Sequence, residues 1–446
     1  MQAIFNPLFF FKKVCYNIVA HKTYRAEVIM KKRVLAIILL AVFCSALFAC
    51  NVGRIGGSTD KGDEDIIEVP VEKPVPLPEP LPETFADAVA KFSLDLFRHA
   101  FSSDKNTVIS PTSALIALAM VANGAGGNTL SEMLVLLGGS LTQEELNDAL
   151  FAYVHSFVSD EKTKVKIANS AWFREGGIDV NADFLKLCAD IYNAEAKKSA
   201  FGGGTVKEIN DWVKKNTDGL INKIVEEIPS DAIMYLINAV LFDGKWAEVY
   251  NENSITEGVF HAHDGEDVVA KFMHSGEYSY LSDIDTTGFL KPYAGGRYSF
   301  ATFLPDESIS IEDYVKTLSP AKFSALISGA EACKVIASLP KFTAEYEITL
   351  NDALYDMGMR DAFLPDIADF TRLGTSYGNI FIGSVMQKAV IEVSEKGTKA
   401  AAVTGVIAMP TSVSDSKYVT LDRPFVYAII DNATGLPLFI GAQLTV

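Results

Sequence analysis

Two short stretches of this chain hold residue types that do chemistry in other proteins. Gly374-Thr375-Ser376-Tyr377-Gly378 matches G-x-S-x-G, where a serine sits on a strained turn as an acyl-transfer nucleophile. An esterase using Ser376 is the reaction it would imply. That pattern needs a strand, a turn and a helix in succession, and here the apolar run Ile380 to Val393 predicts a strand after it. The match therefore reads as chance. His261 and His263 stand two apart on a predicted strand and share a face, as two metal-ligating imidazoles would. Only Asp264 is near enough to complete a set, and with Gly265 it is accounted for by a hairpin turn. No metal site and no cofactor are expected, and no phosphate-cradling Gly loop or Cys-x-x-Cys occurs.

Charge excludes further classes. The 446 residues carry a net −17, unevenly spread. Residues 1–49 hold seven Lys/Arg and one Asp/Glu, so the remainder has 39−7 = 32 basic and 56−1 = 55 acidic residues, or −23. Nucleic acid and anionic lipid surfaces both select clustered positive charge, so neither is expected as a partner. A composition of 49% hydrophobic and 21% charged residues fits a globular protein with a large core.

The N-terminal region reads as an export signal. Met30-Lys31-Lys32-Arg33 is a basic start, and Val34 to Ala49 is an apolar run of 16 residues, shorter than the roughly 20 a spanning helix needs. It ends Leu47-Phe48-Ala49-Cys50, which resembles a bacterial lipobox and makes Cys50 the expected site of lipid attachment. The domain plan is thus an upstream segment 1–29 with translation expected to start at Met30, a lipoprotein signal peptide 30–49, a tether 50–84 and a folded domain 85–446. In the tether, prolines at 70, 74, 76, 78, 80 and 82 enforce an extended, semi-rigid spacer. The expected location is lipid-anchored at a bacterial cell surface or outer membrane, with membrane contact through the anchor alone. Cys188 and Cys333 have no metal spacing and read as buried thiols.

The elements that must position any site follow from periodicity. Thr84 is a plausible N-cap for a helix carrying Phe85, Val89, Phe92 and Leu96. Asn106 to Asn128 reads as a cap and a second helix. Thr142 opens another, with Glu145 at the capping-box position. Val206 to Thr217 is a helix around Trp212. Val165–Phe173, Met234–Phe242, the hairpin Val259–His274, Tyr298–Leu304, Lys334–Leu339, Ile380–Val393, Phe425–Ile430 and Leu438–Leu444 read as strands. The unbroken apolar run Met234–Phe242 predicts a strand buried on both faces. Helices early and strands late argue for an α+β fold with large sheets.

One loop contradicts its own position. Glu395 to Ser412, between two predicted strands, contains a Gly, then Thr, Ala and Val with almost no charge. Exposed loops are polar and rich in turn formers; this one has the composition of a buried strand. From Gly397 onward, alternation puts Thr398, Ala400, Ala402, Thr404, Val406 and Ala408 on one face, all small or β-branched, and Lys399 on the other.

Ordered motifs from Phe85 to Val446 resemble the serpin family. They are Asn106-Thr-Val-Ile-Ser-Pro-Thr-Ser113, Asn123-Gly-Ala-Gly-Gly-Asn-Thr129, Ile167-Ala-Asn-Ser-Ala-Trp-Phe173, Leu236-Ile-Asn-Ala-Val-Leu-Phe-Asp-Gly-Lys-Trp246, Leu339-Pro-Lys-Phe342, Leu354-Tyr-Asp-Met-Gly-Met359, Ala389 to Thr398, and Arg423-Pro-Phe425. Two positions depart: Gln387 stands where the family often has His, and Ala442 where Arg usually follows Phe-x-Gly.

The resemblance implies a fold with three β-sheets, eight to nine helices and an exposed reactive loop. It implies not an enzyme but a monomeric suicide-substrate inhibitor of serine proteases, with cysteine proteases as a second class. Cleavage of the loop lets its N-terminal part insert into the central sheet and trap the acyl-enzyme. Glu395 and Gly397 form the hinge, the six residues above form the inserting face, and Ser110, Ser113, Asn238 and Gln387 mark the region where the sheet opens. Counting Glu395 as the first residue, the seventeenth is Thr411, so the reactive bond is Thr411–Ser412. Small, uncharged Thr411 favours elastase-like or subtilisin-like targets. The alternative is a non-inhibitory serpin serving as a surface binding protein.

Overall fold

Apolar runs near the C-terminus build the finished part of the core. Tyr298–Pro305, Phe425–Asp431 and Pro437–Gln443 are buried at every position, as strands covered on both faces are. They form the middle of a six-stranded antiparallel sheet completed by Thr107–Ile109, Thr286–Pro292 and Tyr280–Ser282. In a computed structural model, the structure describes residues 81–157, 161–228, 234–398 and 416–446, within a compact unit spanning Asp65–Val446.

A second six-stranded sheet is the central one. Its order is Phe342–Thr349, Met386–Ser394, Gly397–Thr398, Met234–Lys245, Thr163–Arg174 and Ala194–Ser199. A four-stranded sheet runs Lys417–Thr420, Val335–Pro340, Asp267–Glu277, Ile255–His261, and a two-stranded one pairs Gly374–Ser376 with Ile178–Val180. Among the described residues there are nine α-helices. The α+β class, the nine helices and the three large sheets agree with expectation, and the two-stranded sheet is an addition to it.

Helices cover the sheets. Glu83–Ala100 buries Phe85, Val89, Phe92 and Leu96, the stripe its spacing predicts. Its N-cap is Pro82 rather than Thr84, so the last tether proline belongs to the domain. The capping box forms as expected: Thr142 Oγ1 accepts from Glu145 N, and the Glu145 carboxylate accepts from Thr142 N. Gly203–Asn216 lies over the outer face of the central sheet through a cluster that includes Ile209, Trp212, Trp172, Tyr235 and Ile237. No described helix is long and apolar enough to cross a membrane.

Four sequence readings change. Asn106 caps no helix: Thr107–Ile109 is a strand, Ser110 is the N-cap of Pro111–Ala122, and a separate helix starts at Gly127. Asn106 instead clamps the far end of the chain, donating to Thr445 O and accepting from Leu444 N and Thr445 N. The strand expected from Ile380 begins at Met386, because the preceding residues pack without a ladder, with Ile382 N donating to Ala362 O. Met234–Lys245 is not buried on both faces: Leu236 and Val240 are half-buried because the sheet is open beside them. Cys188 is buried but Cys333 is half-exposed, and both are free.

Candidate functional site

In the middle of the central sheet, among the described residues, two long strands are joined by the two-residue strand Gly397–Thr398. Gly397–Thr398 pairs antiparallel with Val393–Ser394 on one side and Gly244–Lys245 on the other. The two long strands flanking it therefore run parallel to each other. Among the described residues no ladder joins them directly; the two hinge residues are the bridge. Gly397–Thr398 is antiparallel to both neighbours.

Backbone and side-chain bonds hold this turn. Trp246 N donates to Lys396 O at 3.2 Å and Tyr250 N to Glu395 O at 3.0 Å. Trp246 Nε1 donates to Ser394 O at 2.8 Å, and Ser394 Oγ to Gly397 O at 3.0 Å. Gly397 has φ +148, a conformation side chains rarely adopt, which accounts for glycine at the hinge. Glu395 pairs with Lys341 at 2.5 Å. That hydrogen bond holds the Glu395 carboxyl below its ordinary range.

Thr398 enters an aromatic socket. It is 1% exposed, and its hydroxyl is 2.6 Å from the hydroxyl of fully buried Tyr293. The Tyr293 ring stacks on Trp246 (centroids 4.6 Å, 15°) and meets Phe242 edge-on (4.7 Å, 64°). Gly244 makes room: a Cβ there would stand 2.6 Å from Phe242 Cε1 and 2.8 Å from Tyr293 Cδ1. Thus the Phe242-Asp-Gly-Lys-Trp246 motif is a mould for Tyr293. Beneath lies a buried ion pair, Lys291–Glu277 at 2.7 Å, with Lys291 Nζ 4.2 Å from the Tyr250 ring and 5.4 Å from the Trp246 ring. Burial pushes the Tyr293 phenol well up, so it stays a neutral hydroxyl.

The register extends by counting. Thr398 opposes Gly244 and Val393. Continuing the antiparallel ladders, Ala400 would oppose Phe242 and Ile391, Ala402 Val240 and Ala389, Thr404 Asn238 and Gln387, Val406 Leu236, and Ala408 Met234, where the flanking strand ends. Ile391, Ala389 and Gln387 are all buried on the core side, as Thr398 is. At the far end of the two long strands is a cavity of about 20 Å³ lined by Leu236, Ala117, Leu118, Met386 and Gln387 among others.

Ser110 and Gln387 close that end. Gln387 accepts from Ser110 N at 3.0 Å and donates to Ser110 O at 2.9 Å, satisfying the backbone donor and acceptor of one residue with one side-chain amide. Ser110 Oγ donates to Leu438 O at 2.7 Å, and Ser113 N donates to Ser110 Oγ at 3.4 Å. Asn238 lies level with Asn169 in the ladder; its side chain is outside the described part. So the structure brings together Glu395, Gly397, Thr398, Ser110, Ser113 and Gln387 along one slot. Ala400, Ala402, Thr404, Val406, Ala408, Thr411, Ser412 and Cys50 lie outside the described residues.

The other chemical candidates separate. His261 pairs with Asp267 and His263 with Glu312, at 2.6 and 2.8 Å. Among the described residues no group of His, Cys, Asp and Glu could hold a metal. Ser376 ends a short strand and donates to Gly378 O, in no strand–turn–helix context. Sequence reasoning missed Tyr293, Lys291 and Glu277. Lys341 was visible within Leu339-Pro-Lys-Phe342, though without a role.

Comparison with known proteins bears on this arrangement. The family model described as "Serpin (serine protease inhibitor)" matches residues 87–445. An uncharacterised serpin-like protein of Thermococcus kodakarensis is 30% identical over 427 residues, covering 93% of this chain and 99% of its own. The native-state crystal structure of a thermophilic serpin, tengpin, superimposes with a TM-score of 0.80 at 45% identity, covering 84% of this chain and 97% of that one. Its latent-state structure gives 0.75 at 43% identity, with coverage of 82% and 99%.

Proposed function

Since the chain belongs to the serpin family of serine protease inhibitors, we propose that it acts as a suicide substrate. A protease cleaves the exposed loop, and residues 399–408 then insert behind Thr398 between the two long strands while still carrying the acyl-enzyme. The observation supporting this is the parallel pair of long strands that, among the described residues, is bridged by Gly397–Thr398. Serpin loop insertion is an instance of strand addition. Roughly ten new ladder hydrogen bonds at about 1 kcal/mol each, with apolar burial added, favour insertion by on the order of 10 kcal/mol. The uncleaved fold is then a kinetically held state. Counted register also supports the face assignment: small Ala400 and Ala402 would meet Phe242 and Val240, Thr404 would meet two amide-bearing residues, and Lys399 would fall opposite Asp243.

The reactive bond is Thr411–Ser412, and the targets are elastase-like or subtilisin-like proteases with shallow apolar pockets. The protein works as a monomer held by a lipid on Cys50 at a bacterial surface. Mixing the protein with an elastase-like protease should give a denaturant-resistant band at the summed mass, and a C-terminal fragment beginning at Ser412. Complete loop cleavage with no such band overturns inhibition. A fragment beginning after Lys399 or Lys417 overturns the register. Cys50→Ser should release the protein from membrane fractions, and unchanged fractionation overturns the anchor.

A further inference from the structure

The hydroxyl pair at the hinge spans an element that is already inserted and one that never moves. Tyr293 lies outside the central sheet, immediately after Thr286–Pro292, while Thr398 is the first buried side chain of the strand Gly397–Thr398. Tyr293 has no freedom to follow the loop: Trp246 stacks on it, Phe242 meets its edge, and Gly244 lets it approach the strand. The same Trp246 bonds the backbone on the other side of the turn, at Ser394 O and Lys396 O. The contact is compatible with both states, since a strand growing from Thr398 toward Ala408 leaves the Thr398 register unchanged.

We infer that Tyr293 is a positioning residue for insertion: its hydroxyl holds Thr398 in register before cleavage and so seeds the new strand. This rests on the insertion mechanism proposed above. A contact shared by the start and end states changes neither the driving force nor the final register energy. It sets how fast the strand starts and whether it starts in frame. Frame matters because a slip of one residue would turn Lys399 inward and every alanine of the inserting face outward. Speed matters because insertion competes with hydrolysis of the acyl bond.

The hydroxyl pair makes a distinctive prediction. Removing one member leaves the other buried without its partner when the hinge is seated, which favours an unseated hinge; removing both leaves two apolar groups of similar shape. Full-length wild type, Tyr293→Phe, Thr398→Val and the double variant are compared in two measurements. One is the ratio of cleaved to trapped inhibitor with an elastase-like protease. The other is the rate at which the loop-cleaved chain acquires heat resistance. Each single variant should raise the ratio and slow the acquisition roughly five-fold, the factor one neutral buried hydrogen bond carries, and the double variant should show the deficit of one single variant rather than the product of two, because all three lack the same bond. The rate of loop cleavage should be unchanged in all four.

Single variants that match wild type overturn the assignment, as does a double variant whose deficits multiply. If Tyr293→Phe fails to fold, Thr398→Val decides alone by the same two rates. A cleaved wild type that never gains heat resistance overturns insertion itself, and this inference with it. A wild type that inserts beside variants that insert equally fast overturns only the role of Tyr293.

Discussion

The two six-stranded sheets come from similar apolar runs and end in opposite conditions. In the C-terminal sheet, Tyr298–Pro305 pairs with Phe425–Asp431 over six consecutive residues and every position is buried. In the central sheet, Met234–Lys245 pairs with Thr163–Arg174 along its length, while among the described residues its ladder to the other flank runs through the two hinge residues. One sheet is closed by continuous ladders and the other, among the described residues, is joined in its middle by two residues. On the insertion mechanism proposed above, the free energy for function would come from ladder groups and half-buried side chains along these two strands.

The largest break of this contrast is Thr398→Arg. The socket offers an aromatic wall and one hydroxyl, and no carboxylate is bonded to Thr398. Burying an unpaired guanidinium there costs several kcal/mol. The hinge should leave the sheet and the protein should become a substrate, cleaved stoichiometrically with no band at the summed mass. A variant that still traps protease at wild-type stoichiometry shows that Thr398 does not point inward during insertion.

A second comparison sets the same truncation in each sheet. Phe300 is fully buried, stacked on Tyr427 at 5.5 Å and edge-on to Trp246. Phe300→Ala should destabilise the uncleaved protein by about 3–5 kcal/mol. Leu236 is half-buried and already borders the small cavity at the end of the slot. Leu236→Ala should cost the uncleaved protein about 1 kcal/mol, less than the usual range for a core leucine, because little packing is lost. It should cost the cleaved form more, where Val406 would pack on it. Denaturation of both variants before and after loop cleavage reads the difference; equal losses for Leu236→Ala in the two forms would mean that the inserted strand stops short of Val406.

What was legible in the sequence divides along a physical line. Thr142 and Glu145 are three residues apart, so their capping box could be read from local spacing. The loop announced itself by composition, since a segment that must be buried later cannot carry charge on its inward face. The signals that failed are those whose partner is remote. Asn106 looks like a helix cap, but its partners lie 338 and 339 residues away. Tyr293 is one aromatic among sixteen tyrosines until Thr398, 105 residues on, arrives beside it. Gln387, a departure from the family pattern, bonds both the backbone N–H and the carbonyl of Ser110.

The smallest expected effect comes from Glu395–Lys341, the ion pair nearest the hinge. Both side chains keep partial access to solvent, at 20% and 30% exposed, so the pair contributes about 1 kcal/mol or less. The Glu395 carboxyl is held below its ordinary value of 4.5, chiefly by the hydrogen bond to Lys341. A depressed carboxylate stabilises the fold fully above its unfolded pKa, and that contribution is lost as pH falls through the folded value. Glu395→Gln and Lys341→Ala should therefore lower the thermal midpoint slightly and equally at pH 7, and their difference from wild type should shrink as pH falls below 4.5. Hinge seating should survive both changes, because Trp246 N and Tyr250 N bond the backbone carbonyls of Lys396 and Glu395 whatever the side chain is. If either variant instead trapped protease as poorly as Thr398→Arg, the ion pair rather than the aromatic socket would be what seats the hinge. The contrast between a closed sheet and one primed by a hydroxyl pair would then have to be redrawn around charge.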